Sequence, residues 1–307
     1  MQHKKKPLSQ PLRVLSFGEV LWDIINGNPY IGGAPFNLAA HLSRMGVEST
    51  FVSAVGEDDL GNKALEHAHR YGIETDFIRV HPELPTGTVA VTLNDKGVPD
   101  FVIHENTAWD AIVLRDDQLE ELTSFRFVAF YFGTLAQRSR QNRETLKALL
   151  SRVRPSHVFY DVNLRQHHYT KEWIMDSLTA SSIVKCNDEE ARRLSMLLFN
   201  HELDQEAFAQ RMSRAFDVAT VCITRGANGA TVYHHGTFRA VPGIKVEVVD
   251  TVGAGDAFSA GFLYACLSGR DMYAATRFAA KVGAFVASRA GAVPEYAEEL
   301  KAEINRI

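Results

Sequence analysis

Near one end the chain reads Val246-Glu-Val-Val-Asp250-Thr251-Val252-Gly253-Ala254-Gly255-Asp256-Ala257-Phe258. This order predicts a strand, a glycine turn and a helix that opens at Asp256. The backbone N–H groups of Gly253, Ala254 and Gly255 can converge on one point, to which the helix adds its positive dipole end, so the turn favours a phosphate. A carboxylate inside such a site is explained if Asp256 takes a proton from a group that attacks phosphorus. The alternative is that Asp250, Thr251 or Asp256 only caps the helix, and this segment alone leaves both interpretations open.

Composition sets the limits of the interpretation. The 307 residues are 46% apolar and 23% charged, which suits one large α/β domain or two modest ones. A net charge of −4 argues against a general nucleic-acid binder. No apolar run reaches membrane-spanning length and no signal-like segment follows the basic start, so we expect a cytoplasmic protein with no membrane partner. Residues 1–11 are predicted to be a flexible tail, and 12–307 the folded domain.

Apolar β-branched runs alternate with helical patterns along most of the chain. This alternation predicts a mostly parallel sheet with helices on both faces. The predicted strands are 13–17, 50–55, 126–132, 157–161, 181–186 and 218–223, and the clearest helices are 36–45, 61–71, 257–267 and 272–288.

Two hairpins interrupt the alternation. One pairs 86–93 with 98–104 around a turn at 94–97, and the other pairs 230–233 with 237–241. The first hairpin and the weaker segment 23–31 predict a small antiparallel layer, a lid over the carboxyl ends of the strands.

A glycine pair precedes the first long helix, in the sequence Gly32-Gly33-Ala34-Pro35-Phe36-Asn37. Glycines let a ligand approach the backbone, and Asn37 can both donate to and accept from a polyol hydroxyl. The alternative is a flexible helix start with Pro35 in the first turn.

A second polar group, Asp161-Val-Asn163-Leu-Arg165, follows a predicted strand. Ligands bind at the carboxyl ends of strands in open α/β sheets, and the alternating spacing favours side chains that point the same way. Arg165 is then placed to hold a sugar hydroxyl or a phosphoryl group, whereas a surface salt bridge is the alternative.

Two further strand ends carry polar residues. Asn187 and Glu190 have the spacing of a helix N-cap with its reciprocal acid, while Glu190 also suits hydrated Mg²⁺ beside phosphates. The run Thr224-Arg-Gly226-Ala-Asn-Gly229 suits a nucleotide phosphate or ribose, with a tight hairpin turn as the alternative.

Several familiar motifs are missing. The twelve histidines form no HxxxH or HExxH pattern, so zinc is not predicted, and His167-His168 and His234-His235 are expected in exposed loops. No Walker A sequence or dinucleotide fingerprint occurs. The three scattered cysteines, Cys186, Cys222 and Cys266, indicate buried, reduced thiols.

Taken together, these motifs resemble the ribokinase-like (PfkB) family of sugar kinases, from about Arg13 onward. The similarity rests on five motifs in order: 32–37 with Gly46 and Gly56, then 161–165, 187–190, 224–229 and 250–256. It implies a three-layer sandwich with an eight- or nine-stranded sheet and a β-lid, formed by about 23–31 and 86–107, that closes on sugar.

The resemblance also implies roles. Asp256 would be the general base, with the anion hole at Gly253, Ala254 and Gly255. The residues implied for the sugar are Asp23, Gly33, Asn37 and Arg165, and those implied for ATP are Asn187, Thr224, Gly226, Gly229, Gly253 and Gly255. Glu190 is implied to bind Mg²⁺ through water. A monovalent cation such as K⁺ is implied at Asp250, Val252, Val286 and Gly291.

Substrate choice is less specific in the sequence. The segments 18–23 and 161–165 look most like fructokinases and 2-keto-3-deoxygluconate kinases, but Gln166-His-His-Tyr169 stands where a Leu-Trp pair is frequent. Lys281 is unexpected in a helix near the adenine. The resemblance favours fructose; the alternatives are a 2-keto-3-deoxygluconate, ribose or nucleoside kinase, or a non-catalytic sugar sensor. A homodimer through the lid is a further expectation.

Overall fold

The computed structural model describes residues 12–93 and 99–307; the predicted tail 1–11 and the turn 94–97 lie outside them. The strands of the described chain are numbered in order as β1 (Arg13–Phe17), β2 (Leu21–Ile25), β3 (Asn28–Gly32), β4 (Glu48–Gly56), β5 (Ile73–Glu74), β6 (Ile78–His81), β7 (Gly87–Leu93), β8 (Pro99–Ile103), β9 (Ala129–Gly133), β10 (His157–Asp161), β11 (Ile183–Asn187), β12 (Thr220–Thr224), β13 (Ala230–His234) and β14 (Thr237–Val241).

The α-helices of the described chain are α1 (Ala34–Arg44), α2 (Asp59–Tyr71), α3 (Asp116–Ser124), α4 (Arg140–Arg152), α5 (Lys171–Thr179), α6 (Asp188–Phe199), α7 (Gln205–Phe216), α8 (Ala254–Leu267), α9 (Met272–Ala287) and α10 (Glu298–Ile304). Short 3₁₀ turns lie at Ala108–Ala111, Leu135–Arg138 and Gly226–Asn228. Within the described ranges, no helix is both long and apolar enough to cross a bilayer.

The main sheet has the order β14-β13-β12-β11-β10-β9-β1-β4-β5, and β6 pairs with the second half of β4. Its central strands are all parallel, and β13 and β14 add an antiparallel edge. The sheet has ten strands among the described residues rather than eight or nine, because the short β5 and β6 pair with successive halves of β4. The parallel pairing brings the carboxyl ends of β1, β10, β11 and β12 to one edge.

Helices cover both faces of this sheet. One buried apolar cluster joins its first face to α3–α7 through residues such as Leu149 and Leu194. A second cluster joins the other face to α1, α8, α9 and α10, around Tyr131 and Phe262. Burial on both faces explains why the central strands are almost wholly apolar, as the sequence predicts for a parallel sheet.

A second sheet, the lid sheet, has the order β3-β2-β7-β8. The predicted lid segments 23–31 and 86–107 supply its strands. It is not wholly antiparallel, as the hairpin pattern suggested, because β2 and β7 run parallel, with Asp23 opposite Val89. Its inner face packs Leu21, Val89 and Ile103 against the fully buried Trp109.

The predicted strand at 246–250 is wrong. Residues 242–250 form no strand, and Val248 and Val249 are each 60% exposed. The N–H groups of Val249 and Asp250 both donate to the carbonyl of Ala287 at the end of α9, at 2.9 and 3.2 Å, so this segment runs over a helix end and not beside a sheet edge. The helix that follows begins at Ala254, two residues before the predicted start.

Candidate active site

The glycine turn forms the N-terminus of α8 at the carboxyl edge of the main sheet. Gly253 is the N-cap, with φ 75° and ψ −7°, a left-handed conformation that favours glycine. A Cβ there would lie 2.6 Å from the Cα of Ala292, so packing also demands glycine. The first-turn N–H groups of a helix have no intrahelical acceptor, although that of Ala254 contacts the Thr251 carbonyl at 3.3 Å. Gly255 and Asp256 therefore lie at an electropositive helix end.

Asp256 lies in the first turn of α8. Its Oδ2 accepts a hydrogen bond of 2.8 Å from Nδ2 of Asn37. Burial raises the pKa of Asp256 to about 6, while the Asn37 bond and the charges of Lys185 and Arg165 act in the opposite direction. A carboxylate with such a pKa is ionised near neutral pH and still basic enough to accept a proton, as a general base requires.

Asn37 reaches Asp256 from the start of α1. Gly33 caps this helix with φ 110°, and its missing Cβ would otherwise lie 2.4 Å from the Glu19 carbonyl oxygen. The N–H of Asn37 donates to the Gly33 carbonyl at 2.8 Å, which fixes the residue in the first turn. Its Oδ1 is buried without a hydrogen-bond partner, so an acceptor remains for a ligand hydroxyl.

Glu19 is a site residue that sequence reasoning passed over. It lies two residues after the end of β1, is 3% exposed, and has a buried Oε2 without a partner. Burial raises the pKa of Glu19 to about 7, and the nearby charge of Asp256 adds to this, whereas Arg165 opposes it. An acid two residues after the buried apolar strand β1 was the available signal, because that position lies at the ligand-binding edge of such sheets.

Asp23 and Arg165 complete the polar group on the lid side. Asp23 lies in the middle of β2, and burial raises its pKa while the charge of Arg165 lowers it. Arg165 is exposed and acts electrostatically on Asp23, Glu19 and Asp256.

Asp161 does not share the direction of Arg165, contrary to the alternating pattern. The alternation fails because β10 ends at Asp161 and Asn163 has φ 37°. Asp161 is fully buried and accepts hydrogen bonds from the Tyr131 and Ser259 hydroxyls, at 3.1 and 2.8 Å.

The ion pair of Asp161 is with Lys185, whose Nζ lies 3.0 and 3.1 Å from its two carboxylate oxygens. Lys185 is 7% exposed, and Asp161 raises its pKa against the effect of burial. The same Nζ lies 3.5 Å from the position that a Cβ on Gly255 would take, so its charge reaches the α8 N-terminus. A lone cation inside the apolar strand β11 was the sequence signal for this residue, which the prediction missed.

Asn187 and Glu190 form the predicted capping box. Asn187 Oδ1 accepts from the Glu190 N–H and Glu190 Oε2 accepts from the Asn187 N–H, each at 2.8 Å. The other oxygen of Glu190 accepts from the Leu164 N–H, also at 2.8 Å. Glu190 therefore joins the end of β11 to the loop that carries Arg165, and its role toward Mg²⁺ stays a prediction.

The segment Thr224–Gly229 forms the hairpin turn between β12 and β13. Gly226 has φ 53° and Gly229 has φ 86°, and a Cβ on Gly229 would lie 2.1 Å from the Val241 carbonyl. Thr224 pairs with Asn187 in the parallel register of β12 and β11. Thr224 and Asn187, both expected on the ATP side, are therefore neighbours. Their role in binding ATP stays a prediction.

Asp250 links the turn before α8 to the loop after α9. Its Oδ1 accepts from the Val252 N–H at 2.9 Å, and its Oδ2 accepts from the Gly291 N–H at 3.1 Å. The carbonyl of Val286 accepts from the Arg289 N–H at 2.9 Å. Three of the four residues predicted for a monovalent cation thus converge, and the site itself remains a prediction. Lys281 is exposed and pairs with Glu303 at 2.5 Å.

Comparison with solved structures assigns the class of protein. The fold matches the uncharacterized sugar kinase PH1459 from Pyrococcus horikoshii, solved in complex with ATP, with a TM-score of 0.80 and 26% identity over 95% of this chain and 99% of that one. The Xylella fastidiosa fructokinase, 23% identical, shares the fold with a TM-score of 0.83 over 96% of this chain and 98% of its own. The architecture is therefore the ribokinase-like α/β fold of sugar kinases.

Sequence comparison gives the family. The pfkB family carbohydrate kinase model matches residues 12–298, and the chain belongs to this family of phosphotransferases, whose acceptor is a sugar hydroxyl. PH1459 is 28% identical over 299 residues, 91% of each protein, and the Escherichia coli fructokinase is 27% identical over 243 residues, 76% of each. The family resemblance inferred from the motifs is confirmed.

Proposed function

We propose that this chain transfers the γ-phosphoryl group of ATP to a primary hydroxyl of fructose. The observation that supports it most is Asp256, an acid with a raised pKa in the first turn of a helix that attracts phosphate. Curated fructokinases are among its relatives, and PH1459 was solved with ATP bound.

The proposed reaction is a direct transfer to the sugar hydroxyl. Asp256 accepts the proton of the sugar hydroxyl. The hydroxyl oxygen forms a bond to the γ-phosphorus, and the bond from that phosphorus to the bridging oxygen of ADP breaks. The N–H groups of Gly253, Ala254 and Gly255, together with the ammonium of Lys185, would stabilise the charge that develops on the phosphoryl oxygens. Such preorganised donors stabilise the transition state without reorganising during the reaction.

The acceptor side is built from Asp23, Gly33, Asn37 and Arg165. Asn37 has a free buried acceptor, and Gly33 lets the sugar approach the backbone. The charge of Arg165 lowers the pKa of three carboxyl groups, those of Asp23, Glu19 and Asp256, so acids outnumber this cation. This balance favours a neutral polyol over a negatively charged sugar acid, which supports fructose over 2-keto-3-deoxygluconate.

The resemblance implies two ions, Mg²⁺ near Glu190 and a monovalent cation near Asp250. Both carboxylate oxygens of Glu190 accept backbone N–H groups, so Glu190 suits Mg²⁺ only through a water shell, the binding mode common for that ion. Mg²⁺ bound there supplies positive charge to the phosphates. Asp250, Val252 and Gly291 would hold a monovalent cation beside the α8 turn, with Val286 near the same loop.

A panel assay of ADP release tests the proposal. Fructose should give the highest kcat/KM among fructose, ribose, 2-keto-3-deoxygluconate, a nucleoside and no acceptor. A higher value with another acceptor would replace fructose while leaving the kinase assignment intact. Sugar binding without turnover of ATP for every acceptor would support the sugar-sensor alternative instead.

The lid sheet supports a further part of the proposal, a homodimer. On one face of its strands β2 and β3, Ile25 is 37% exposed and Tyr30 is 51% exposed. Apolar side chains on a sheet surface are typical of a contact between proteins. Light scattering should give twice the chain mass, and Tyr30→Lys should give the monomer mass; a monomeric wild type would contradict this arrangement.

A further inference from the structure

We propose that Glu105, His167 and His168 form a binding site for a divalent transition-metal ion. None of the three takes part in the proposed reaction. The sequence alone predicted exposed loop positions for both histidines. His168 is in fact buried, with 6% of its surface exposed.

The three side chains converge. A carboxylate oxygen of Glu105 and one ring nitrogen of each histidine lie within 4.8 Å of one another. Nδ1 of His168 is 4.0 Å from Oε1 of Glu105. The two imidazole rings are 4.4 Å apart between centroids, at an interplanar angle of 40°. Ligands about 2.1 Å from a tetrahedral metal lie about 3.4 Å from each other, so small side-chain rotations close the site.

The backbone explains why neighbouring histidines face one acid. The His168 N–H donates to the Arg165 carbonyl at 3.0 Å and closes a turn. Inside that turn Gln166 has φ 48°, and Asn163 before it has φ 37°. These left-handed residues fold the chain back, so that the imidazoles meet Glu105, which follows the last strand of the lid sheet.

The charge around the site permits a cation. Arg138, whose charge acts on His168, is neutralised by Asp110, with nitrogen–oxygen distances of 2.7 and 2.8 Å. Burial lowers the pKa of His168, with smaller contributions from Arg138 and His167. Glu105 and His167 are exposed, which leaves a route from solvent and a position for a bound water.

The ligand set selects the kind of ion. Two imidazoles and one carboxylate suit Zn²⁺, Co²⁺, Ni²⁺ or Cu²⁺, whereas Mg²⁺ and Ca²⁺ prefer oxygen ligands alone. The site is therefore distinct in chemistry from one for the Mg²⁺ of a kinase reaction. A bound ion would tie the end of β8 to the loop that carries Arg165, so it would restrain the lid sheet against the sugar side; this consequence rests on the proposed function.

Co²⁺ titration of the full chain without nucleotide or sugar tests the site, because the visible spectrum of Co²⁺ reports nitrogen ligands in tetrahedral geometry. We expect one equivalent in the wild type and at least a tenfold weaker affinity in Glu105→Gln and in His167→Ala, both exposed positions. Zn²⁺ should displace the bound Co²⁺.

His235→Ala is the matched control. His234 and His235 also form an adjacent pair, 4.2 Å between centroids, but they belong to no metal-binding group among the described residues. This variant should bind Co²⁺ as the wild type does. Equal affinity in all four proteins, or no Co²⁺ binding by the wild type, would overturn the proposal, and neither result bears on sugar phosphorylation, which is measured separately.

Discussion

Nδ2 of Asn37 donates a 2.8 Å hydrogen bond to Oδ2 of Asp256, and this bond joins the first turns of α1 and α8 across 219 positions of sequence. It places a residue expected to hold the sugar in direct contact with the proposed base. The bond also stabilises the charged carboxylate and so opposes the effect of burial on its pKa. The protonation of Asp256 therefore depends on an element far away in sequence.

The first prediction concerns Asn37→Ala. Loss of the donor removes an interaction that favours the ionised carboxylate, so the pKa of Asp256 should rise above about 6. The acid limb of kcat/KM should then move to higher pH by up to about one unit, which equals 1.4 kcal/mol. A pH profile measures this shift. Asn62→Ala, an exposed position on α2, is the control, and a limb that stays in place or moves to lower pH in Asn37→Ala would contradict the coupling.

A second prediction uses Glu19, whose pKa is raised from 4.5 to about 7 by burial. Between pH 4.5 and 7, Glu19 is protonated in the folded protein and ionised in the unfolded chain. The folded state therefore loses stability as the pH rises from 4.5 to 7. In Glu19→Gln this loss disappears. The free energy of unfolding of the variant, relative to that of the wild type, should therefore increase from pH 4.5 to 7, by at most about 3 kcal/mol. Above pH 7 the difference between the two proteins should stay constant.

Denaturant melts from pH 4.5 to 8 measure the difference. Glu66→Gln, an exposed carboxylate on α2, should show no such trend. A constant difference between Glu19→Gln and the wild type over the whole range would show that Glu19 is ionised in the folded protein throughout.

The third prediction separates two roles of Lys185. Lys185→Met leaves the Asp161 carboxylate buried without its cation, which typically costs about 3–5 kcal/mol. Lys185→Met with Asp161→Asn removes both charges and should recover most of this stability. Activity should stay at least about 10²-fold below wild type in both proteins, because the cation near Gly255 is lost. Recovery of activity together with stability would make Lys185 only structural.

The fourth prediction compares two glycines with left-handed backbones. A Cβ on Gly253 would meet Ala292 at 2.6 Å, whereas Gly269, with φ 83°, has nothing within 4 Å. Both Ala substitutions carry backbone strain of about 1 kcal/mol. Only Gly253→Ala must also displace the α8 turn, so it should lose most activity while Gly269→Ala keeps it. Steady-state assays and thermal melts of the two variants check this, and equal activity would contradict the packing argument.

Much of the fold was predictable because its signals are local. Apolar β-branched strands and helical periodicity identified β1, β4, β10 and both hairpins to within a few residues. The failures were segments that resemble strands locally but lack a neighbour, such as 246–250, whose backbone donates to the end of α9 instead. The short β5 and β6 carry too few residues to show a pattern.

Local structure at the candidate site was predictable where a motif occupies consecutive residues, as at the helix start Gly253–Asp256 and the capping box Asn187–Glu190. Glu19 and Lys185 were missed because each is a single polar residue in or beside an apolar strand, where nothing in the local sequence shows what it faces. Asp161 was assigned the wrong direction because a left-handed residue at Asn163 ends the alternation on which the inference depended.

The central claim is that Asp256 is the base, and Asp256→Asn tests it most directly. The variant should lose about 10²–10⁴-fold in kcat while its Kd for ATP stays within about twofold of wild type, because only proton transfer is removed. Asp271→Asn, an acid at the N-cap of α9, is the matched control and should keep full activity. Full kcat in Asp256→Asn with the preferred sugar would contradict the account.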